Sequence, residues 1–202
     1  MEPGRQEPRR RGNGPAGTEP SRTLSAFVVV APQMLSAVRE DVSAMCERDP
    51  AATDPLTVAL TYPGLHAVWS HRLAHERWTR GNCLSARLLA TAARAVTGVE
   101  IHPAADLGRR VTIDHGMGVV IGETAVVADD VHLYHGVTLG GDVNERVKRH
   151  PTIESGVTIG ANATVLGDVR VGREATIGAG SVVTSDVPAE TTVAGVPASP
   201  VG

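Results

Sequence analysis

The chain has 202 residues, a formal net charge of −3 and 2% aromatic residues. That length holds one domain or two small ones, and the near-neutral balance with scattered basic residues argues against nucleic acid or an anionic membrane as the main partner. Cys46 and Cys83 lack metal-ligand spacing, which fits a reduced, cytoplasmic protein without structural disulfides, and no stretch is long enough to span a bilayer.

Residues 1–25, rich in Gly, Pro, Arg and Glu, read as a disordered extension. Arg9-Arg10-Arg11 ahead of the apolar run Leu24–Val30 has a superficial likeness to a signal peptide. Glu19 and Pro20 between them, and Pro32-Gln33 after the run, argue against export. Residues 26–98 read as an α-helical N-terminal region. Pro32 opens a first helix with Met34, Leu35, Val38, Val42 and Met45 on one face, closing near Asp49-Pro50. Pro63-Gly64 starts another, with Leu65, Val68, Trp69, Leu73 and Trp78 at helical spacing and Gly81 as its end. A last helix carries Leu84, Leu88, Ala92 and Val96 and stops at Gly98.

Residues 99–202 have a different period. Ile101, Leu107 and Ile113, then Ile121, Val127, Leu133 and Leu139, then Ile159, Val165, Val171, Ile177 and Val183 fall six apart, many of them followed by a small residue. A six-residue repeat reads as a parallel β-helix, in which three hexads close one triangular coil. After residue 98 the only aromatic is Tyr134, and β-branched residues suit the short strands of such a thin prism.

The period breaks twice, and breaks in a consistent pattern are expected at functional sites. From Ile113 to Ile121 the spacing is eight, with Asp114-His115-Gly116-Met117-Gly118 between. From Leu139 to Ile153 it is fourteen, an excursion that opens with Gly140-Gly141-Asp142 and closes with Arg149-His150-Pro151. His115 is either a turn histidine paired with Asp114 or a general base. Glu100 lies close to one coil earlier, where a carboxylate would orient the imidazole. Arg149 and His150 are either part of a solvated basic loop or a clamp for a carboxylate. His102, His132 and His135 raise a weaker prospect of a metal held between subunits, as in gamma-class carbonic anhydrases.

Several blocks resemble serine O-acetyltransferase: Val99–Ala104 around Ile101-His102-Pro103, Ile113–Thr124 around Asp114-His115-Gly116-Met117-Gly118, Val137–Gly141, Arg149–Ile153 and Ala194–Ala198. The resemblance covers roughly residues 33–202. It implies a left-handed β-helix, an exception to the usual right-handed crossover, and acetyl transfer from acetyl-CoA to the hydroxyl of L-serine in cysteine biosynthesis, with no bound cofactor and no metal. Residue by residue it makes His115 the base and Glu100 its acidic partner, a position often held by Asp. It makes Asp49 and Asp114 ligands of the substrate, the latter through the ammonium, and Arg149 and His150 the grip on its carboxylate. Ala161 and Ala179 line the groove for the pantetheine arm, and the backbone N–H of Gly141 is a candidate oxyanion donor.

A groove between prisms implies a homotrimer, with a dimer of trimers left open. The excursion departs from the family's Gly/Lys-rich loop at Asp142, which puts CoA affinity in question, and His135 stands where Gln is common. The chain ends at Gly202 without the tail ending in Ile that some members use to bind cysteine synthase, so that complex is not expected. Other readings of the same residues are a hexapeptide acetyltransferase with homoserine or an amino sugar as acceptor, a metal-dependent lyase and a non-catalytic β-helical scaffold.

Overall fold

The computed structural model describes residues 22–201, with side chains from Met34 onward; residues 1–21, and with them most of the expected extension, lie outside the described residues. Contacts divide the chain into a unit ending at Met34 and a unit from Leu35 to Gly202, and the second carries the prism and every candidate site residue.

Helix α1 spans Arg22–Arg48. It starts ahead of Pro32, and within the stretch 1–25, because the apolar run Leu24–Val30 continues the helical segment upstream. It stops at Asp49 because a residue before proline, here Pro50, is driven out of the helical region. A short helix that the sequence pattern did not predict, α2 (Pro55–Thr61), comes next. Its N-cap is Asp54, whose carboxylate accepts from the amide and hydroxyl of Thr57 at 2.8 and 2.6 Å, with Pro55 in the first turn where its missing N–H costs nothing. Tyr62 (φ −91°, ψ 103°) closes α2 and caps α3 (Pro63–Thr79). Helix α4 (Cys83–Thr97) ends on Gly98, whose φ of 73° is the left-handed conformation that glycine adopts without penalty.

Most of the large aliphatics that α4 carries do not face the core. Leu84, Leu88 and Val96 are exposed by 75, 62 and 84%, whereas Ala86 and Thr97 are buried. Small side chains on the opposite face let α4 approach α3 and the first strand closely, and the larger aliphatics are left outside.

From Glu100 onward short strands wind a three-faced, left-handed prism. One face stacks Glu100–Ile101, Val120–Ile121, Thr138–Gly140, Thr164–Leu166 and Val182–Val183 in parallel. The second stacks Asp106–Leu107, Val126–Val127, Thr152–Ile153 and Arg170–Val171, and the third begins with Thr112–Ile113 and His132–Leu133. The hexad aliphatics point inward as expected: Ile113, Ile121, Leu133, Leu139, Ile153 and Ile159 are fully buried. The prism also has a second inward position, two residues before each, that the hexad pattern did not reveal. Val99, Ala105, Val111, Val119, Ala125, Val131, Val137, Val157, Ala163 and Ala175 occupy it, all buried. Each fully buried aliphatic side chain is worth about 1.5–3 kcal/mol.

The helical layer docks on the first coil at two places. Gly64, in the first turn of α3, is so close to the strand end that a Cβ there would lie 1.9 Å from the Ile113 carbonyl oxygen. Arg48, at the end of α1, donates to the carbonyl of Arg110 at 2.9 Å, the hydroxyl of Thr112 at 2.7 Å and the carbonyl of Asp130 at 2.8 Å. His71 of α3 is buried against Ala90, Ala93, Val99 and Ile101, and neither of its ring nitrogens has a hydrogen-bond partner. Burial, with His75 nearby, pushes its pKa down to about 3 from an ordinary 6.5.

Gly64→Ala should force the helical layer off the first coil and destabilise the protein by about 1–3 kcal/mol, the range for overpacking. The readout is a lowered denaturation midpoint; an unchanged midpoint contradicts the close docking. His71 binds its proton in the unfolded chain at pH values where the folded chain refuses it. It therefore costs stability as pH falls below about 6.5, by at most about 1.4 kcal/mol per pH unit down to about pH 3. His71→Leu should shrink the acid dependence of stability in that window while leaving the dependence above pH 7 unchanged.

Candidate active site

At two of its three corners the prism places one residue in the left-handed region just before the second inward position, as at Arg110, Asp130, Gly136 and Asn162. At the first break Gly118 fills that slot. The two extra residues add His115 (φ 60°) and Gly116 (φ 82°) in the same conformation. A non-glycine residue held there costs roughly 1–3 kcal/mol, a cost that His115 shares with ordinary corner residues such as Arg110 and Asn162. The result is an imidazole lifted off the prism, 71% exposed, with Nε2 at 3.6 Å from Oδ2 of the largely buried Asp114. That distance exceeds a hydrogen bond. The His115 ring stands edge-to-face on His135, with centroids 5.6 Å apart.

Above this turn lies the junction of the helices. Asp49, Ala51, Thr61, Tyr62, Pro63, Asp114 and His115 line one cavity of about 300 Å³. The Asp49 carboxylate is held at both ends: Tyr62 donates its hydroxyl to Oδ2 at 2.6 Å, and the Ala51 amide donates to Oδ1 at 2.8 Å. Those two bonds, the Tyr62 one foremost, keep its carboxyl below the usual range, and the same bond pushes Tyr62 up to about 12. Three candidates from distant parts of the sequence thus share one mouth. The edge that carries His115 continues through His135 to Ala161 and Ala179, since Asn162 N–H donates to the His135 carbonyl at 2.9 Å and Gly180 N–H to that of Ala161 at 2.8 Å. Small residues therefore line the edge on the far side of the imidazole.

Gly141, Arg149 and His150 lie on another edge, between the first and second faces, so the structure does not bring them to His115 within one chain. Thr124 builds this site. Its hydroxyl oxygen accepts from the amides of Arg149 and His150 at 3.0 and 3.1 Å, and sits 2.9 Å from His150 Nδ1. The Thr124 amide also donates to that nitrogen at 3.2 Å, which leaves the His150 proton on Nε2. The ring lies where a Cβ of Gly122 would be, 2.0 Å from His150 Cδ2. Burial, then the neighbouring Arg149 and Lys148 charges, hold His150 below its ordinary pKa. The Arg149 guanidinium meets Glu123 at 3.0 Å and the Glu145 carbonyl at 2.5 Å. It borders a groove of about 870 Å³ with Trp78, Arg87, His102, Glu123 and Lys148. The backbone of Gly141 packs against the Arg149 stem.

Glu100 differs from its expected pairing. Its carboxylate meets Arg94 at 2.9 Å, and among the described residues no hydrogen bond or ion pair joins it to His115. Its amide donates to the Val119 carbonyl at 2.9 Å, which sets it beside the end of the His115 turn. The remaining histidines are engaged separately: His102 stands edge-on to Trp78, and His132 lies 2.7 Å from the Thr112 hydroxyl. Tyr62, Thr124 and Gly122 were not singled out by sequence reasoning. Tyr62 is thirteen positions from its partner Asp49, a separation that no local spacing rule reports.

Comparison with known proteins gives the family. Residues 19–70 match the family described as serine acetyltransferase, N-terminal, and residues 150–185 match the bacterial transferase hexapeptide (six repeats). The chain is 55% identical over 169 residues to a serine acetyltransferase of Mycobacterium tuberculosis, covering 84% of this chain and 74% of that protein. It is similar in structure to the Neisseria gonorrhoeae serine acetyltransferase in complex with serine (TM-score 0.83, 44% identity, 89% of this chain and 74% of that one). It is also similar to the Brucella abortus enzyme in complex with coenzyme A (TM-score 0.85, 42% identity, 90% and 72%). At 55% identity over most of both chains, the chain belongs to the serine acetyltransferase family.

Proposed function

We propose that the chain transfers the acetyl group of acetyl-CoA to the hydroxyl of L-serine, giving O-acetyl-L-serine and CoA, the first step from serine to cysteine. The observation that carries this reading is the convergence of Asp49, Asp114 and His115 on one cavity. Two carboxylates suit an ammonium, and an exposed imidazole between them and the edge suits a neighbouring hydroxyl. The zwitterion also needs a cation for its carboxylate, and Arg149 with the Nε2–H of His150 supplies that pair. Because these two sit on a different edge from His115, they serve the site of a neighbouring copy. That supports a homotrimer with shared sites, whether or not two trimers join.

In this mechanism His115 takes the hydroxyl proton as the serine oxygen attacks the thioester carbonyl. The tetrahedral oxyanion is met by a backbone N–H, for which Gly141 is the candidate. Collapse breaks the C–S bond, and the imidazolium returns its proton to the departing sulfur. No acetyl-enzyme forms. The pantetheine arm lies along Ala161 and Ala179, where small side chains let it reach the backbone. Glu100 backs the imidazole once it leaves Arg94. Both members of that ion pair are well exposed, so it holds Glu100 by no more than about 0–1 kcal/mol.

The direct test is thiol release from acetyl-CoA by the purified chain with L-serine, homoserine, glucosamine or no acceptor. Release dependent on L-serine is expected; release only with another acceptor refutes the substrate assignment. His115→Ala should lower kcat by about 10²–10⁴-fold with CoA binding retained, and undiminished turnover would remove the base. Arg149→Ala should raise the serine KM by roughly 10- to 150-fold, the worth of about 1.5–3 kcal/mol for a charge-assisted bond. Co-expressing His115→Ala with Arg149→Ala chains should restore turnover at low serine, since a mixed site takes its intact histidine from one chain and its intact arginine from the other. No recovery would contradict sharing between copies.

A further inference from the structure

Tyr62 has no task in the mechanism above, yet its hydroxyl lies in the cavity that Asp49, Asp114 and His115 share. Its ring is partly buried against the cluster of Val42, Met45, Val58 and Leu65, which fixes where the hydroxyl points. Asp49 stands on the short turn after α1, where an exposed carboxylate would rotate about two side-chain torsions. Instead each oxygen is tied, Oδ2 to the Tyr62 hydroxyl at 2.6 Å and Oδ1 to the Ala51 amide at 2.8 Å. The amide comes from the same turn as Asp49. Tyr62 comes from the junction of α2 and α3, so its bond sets the carboxylate relative to Asp114 and His115.

From this geometry we propose that Tyr62 is a positioning residue, holding the Asp49 carboxylate so that its remaining lone pairs face the ammonium of the amino-acid acceptor. The proposal rests on Asp49 as an ammonium ligand. A donor at that oxygen also keeps Asp49 ionised, in line with the lowered range of its carboxyl. Tyr62 itself never touches the reacting atoms. It acts in the binding of serine and not in the transfer of acetyl.

The experiment is steady-state kinetics of the full chain as Tyr62→Phe, Asp49→Ala and the double variant, with the melting temperature of each. Phenylalanine keeps the ring packing and removes only the hydroxyl. Tyr62→Phe is expected to raise the serine KM by roughly 5- to 20-fold, less than the loss of a direct bond to the substrate, because Tyr62 acts through Asp49. The kcat and the acetyl-CoA KM should stay within about twofold. On the Asp49→Ala background the same change should add less than about twofold, because there is no carboxylate left to hold.

A serine KM unchanged by Tyr62→Phe but raised by Asp49→Ala overturns the proposal and leaves the Asp49 reading standing. A serine KM unchanged by Asp49→Ala overturns that reading itself. Equal factors on both backgrounds, a fall in kcat with a rise in the acetyl-CoA KM, or a chain that no longer folds without the hydroxyl would each place Tyr62 outside the role assigned to it.

Discussion

Between Gly64 and the carbonyl oxygen of Ile113 there is no room for a side chain, and the cavity proposed to bind serine depends on that contact. The prism alone ends its first coil in an exposed turn carrying Asp114 and His115. The helices alone end α1 on Asp49. Only when the first turn of α3 settles on the strand end, with Arg48 spanning the backbone of Arg110 and Asp130, do the carboxylates and the imidazole face one cavity. A backbone-to-backbone approach is well suited to the task, since interiors pack densely and transmit small displacements. Positioning within a few tenths of an ångström is what a catalytic constellation requires.

The prism distributes chemistry by its edges. Breaks at two different corners put the imidazole on one edge and the guanidinium on another, and a rigid stack of parallel strands cannot bend to bring them together. On the reading proposed here, a chain built this way would complete a zwitterion site only beside a second copy. The charges fit that reading, with the acids Asp49 and Asp114 on the His115 edge and, on the other edge, Arg149 beside a histidine whose pKa burial and the neighbouring cations lower. Within the isolated chain Glu123 and Glu100 occupy Arg149 and Arg94 through partly exposed pairs, which a substrate or a neighbouring group displaces at little cost.

The repeat was legible because its aliphatic positions recur in sequence at the period that the coil imposes, and its two breaks mark both edges that carry the candidate residues His115 and Arg149. His115 and Asp114 were findable for the same reason. The second inward position was hidden, because Ala and Val there alternate without the contrast that Ile and Leu give. On α4 the helix was legible but its buried face was not: close packing selected Ala86 and left Leu84 and Leu88 exposed. Asp49 became a site candidate only through resemblance to the family, Gly64 was read only as part of a helix start, and Tyr62 did not enter. Each takes its meaning from a partner that tertiary docking supplies, in the case of Gly64 a carbonyl forty-nine positions away. The Glu100–His115 pairing, inferred by counting coils, meets a local competitor in Arg94, which the count ignores.

The most direct test of the whole arrangement is a crystal structure of the protein with L-serine and CoA bound. The serine ammonium is expected between the carboxylates of Asp49 and Asp114, its hydroxyl within hydrogen-bond reach of the His115 imidazole, and its carboxylate on Arg149 and His150 from a neighbouring copy. Serine bound with its ammonium away from Asp49, or held entirely within the Arg149 groove of a single chain, would contradict a site shared between two edges.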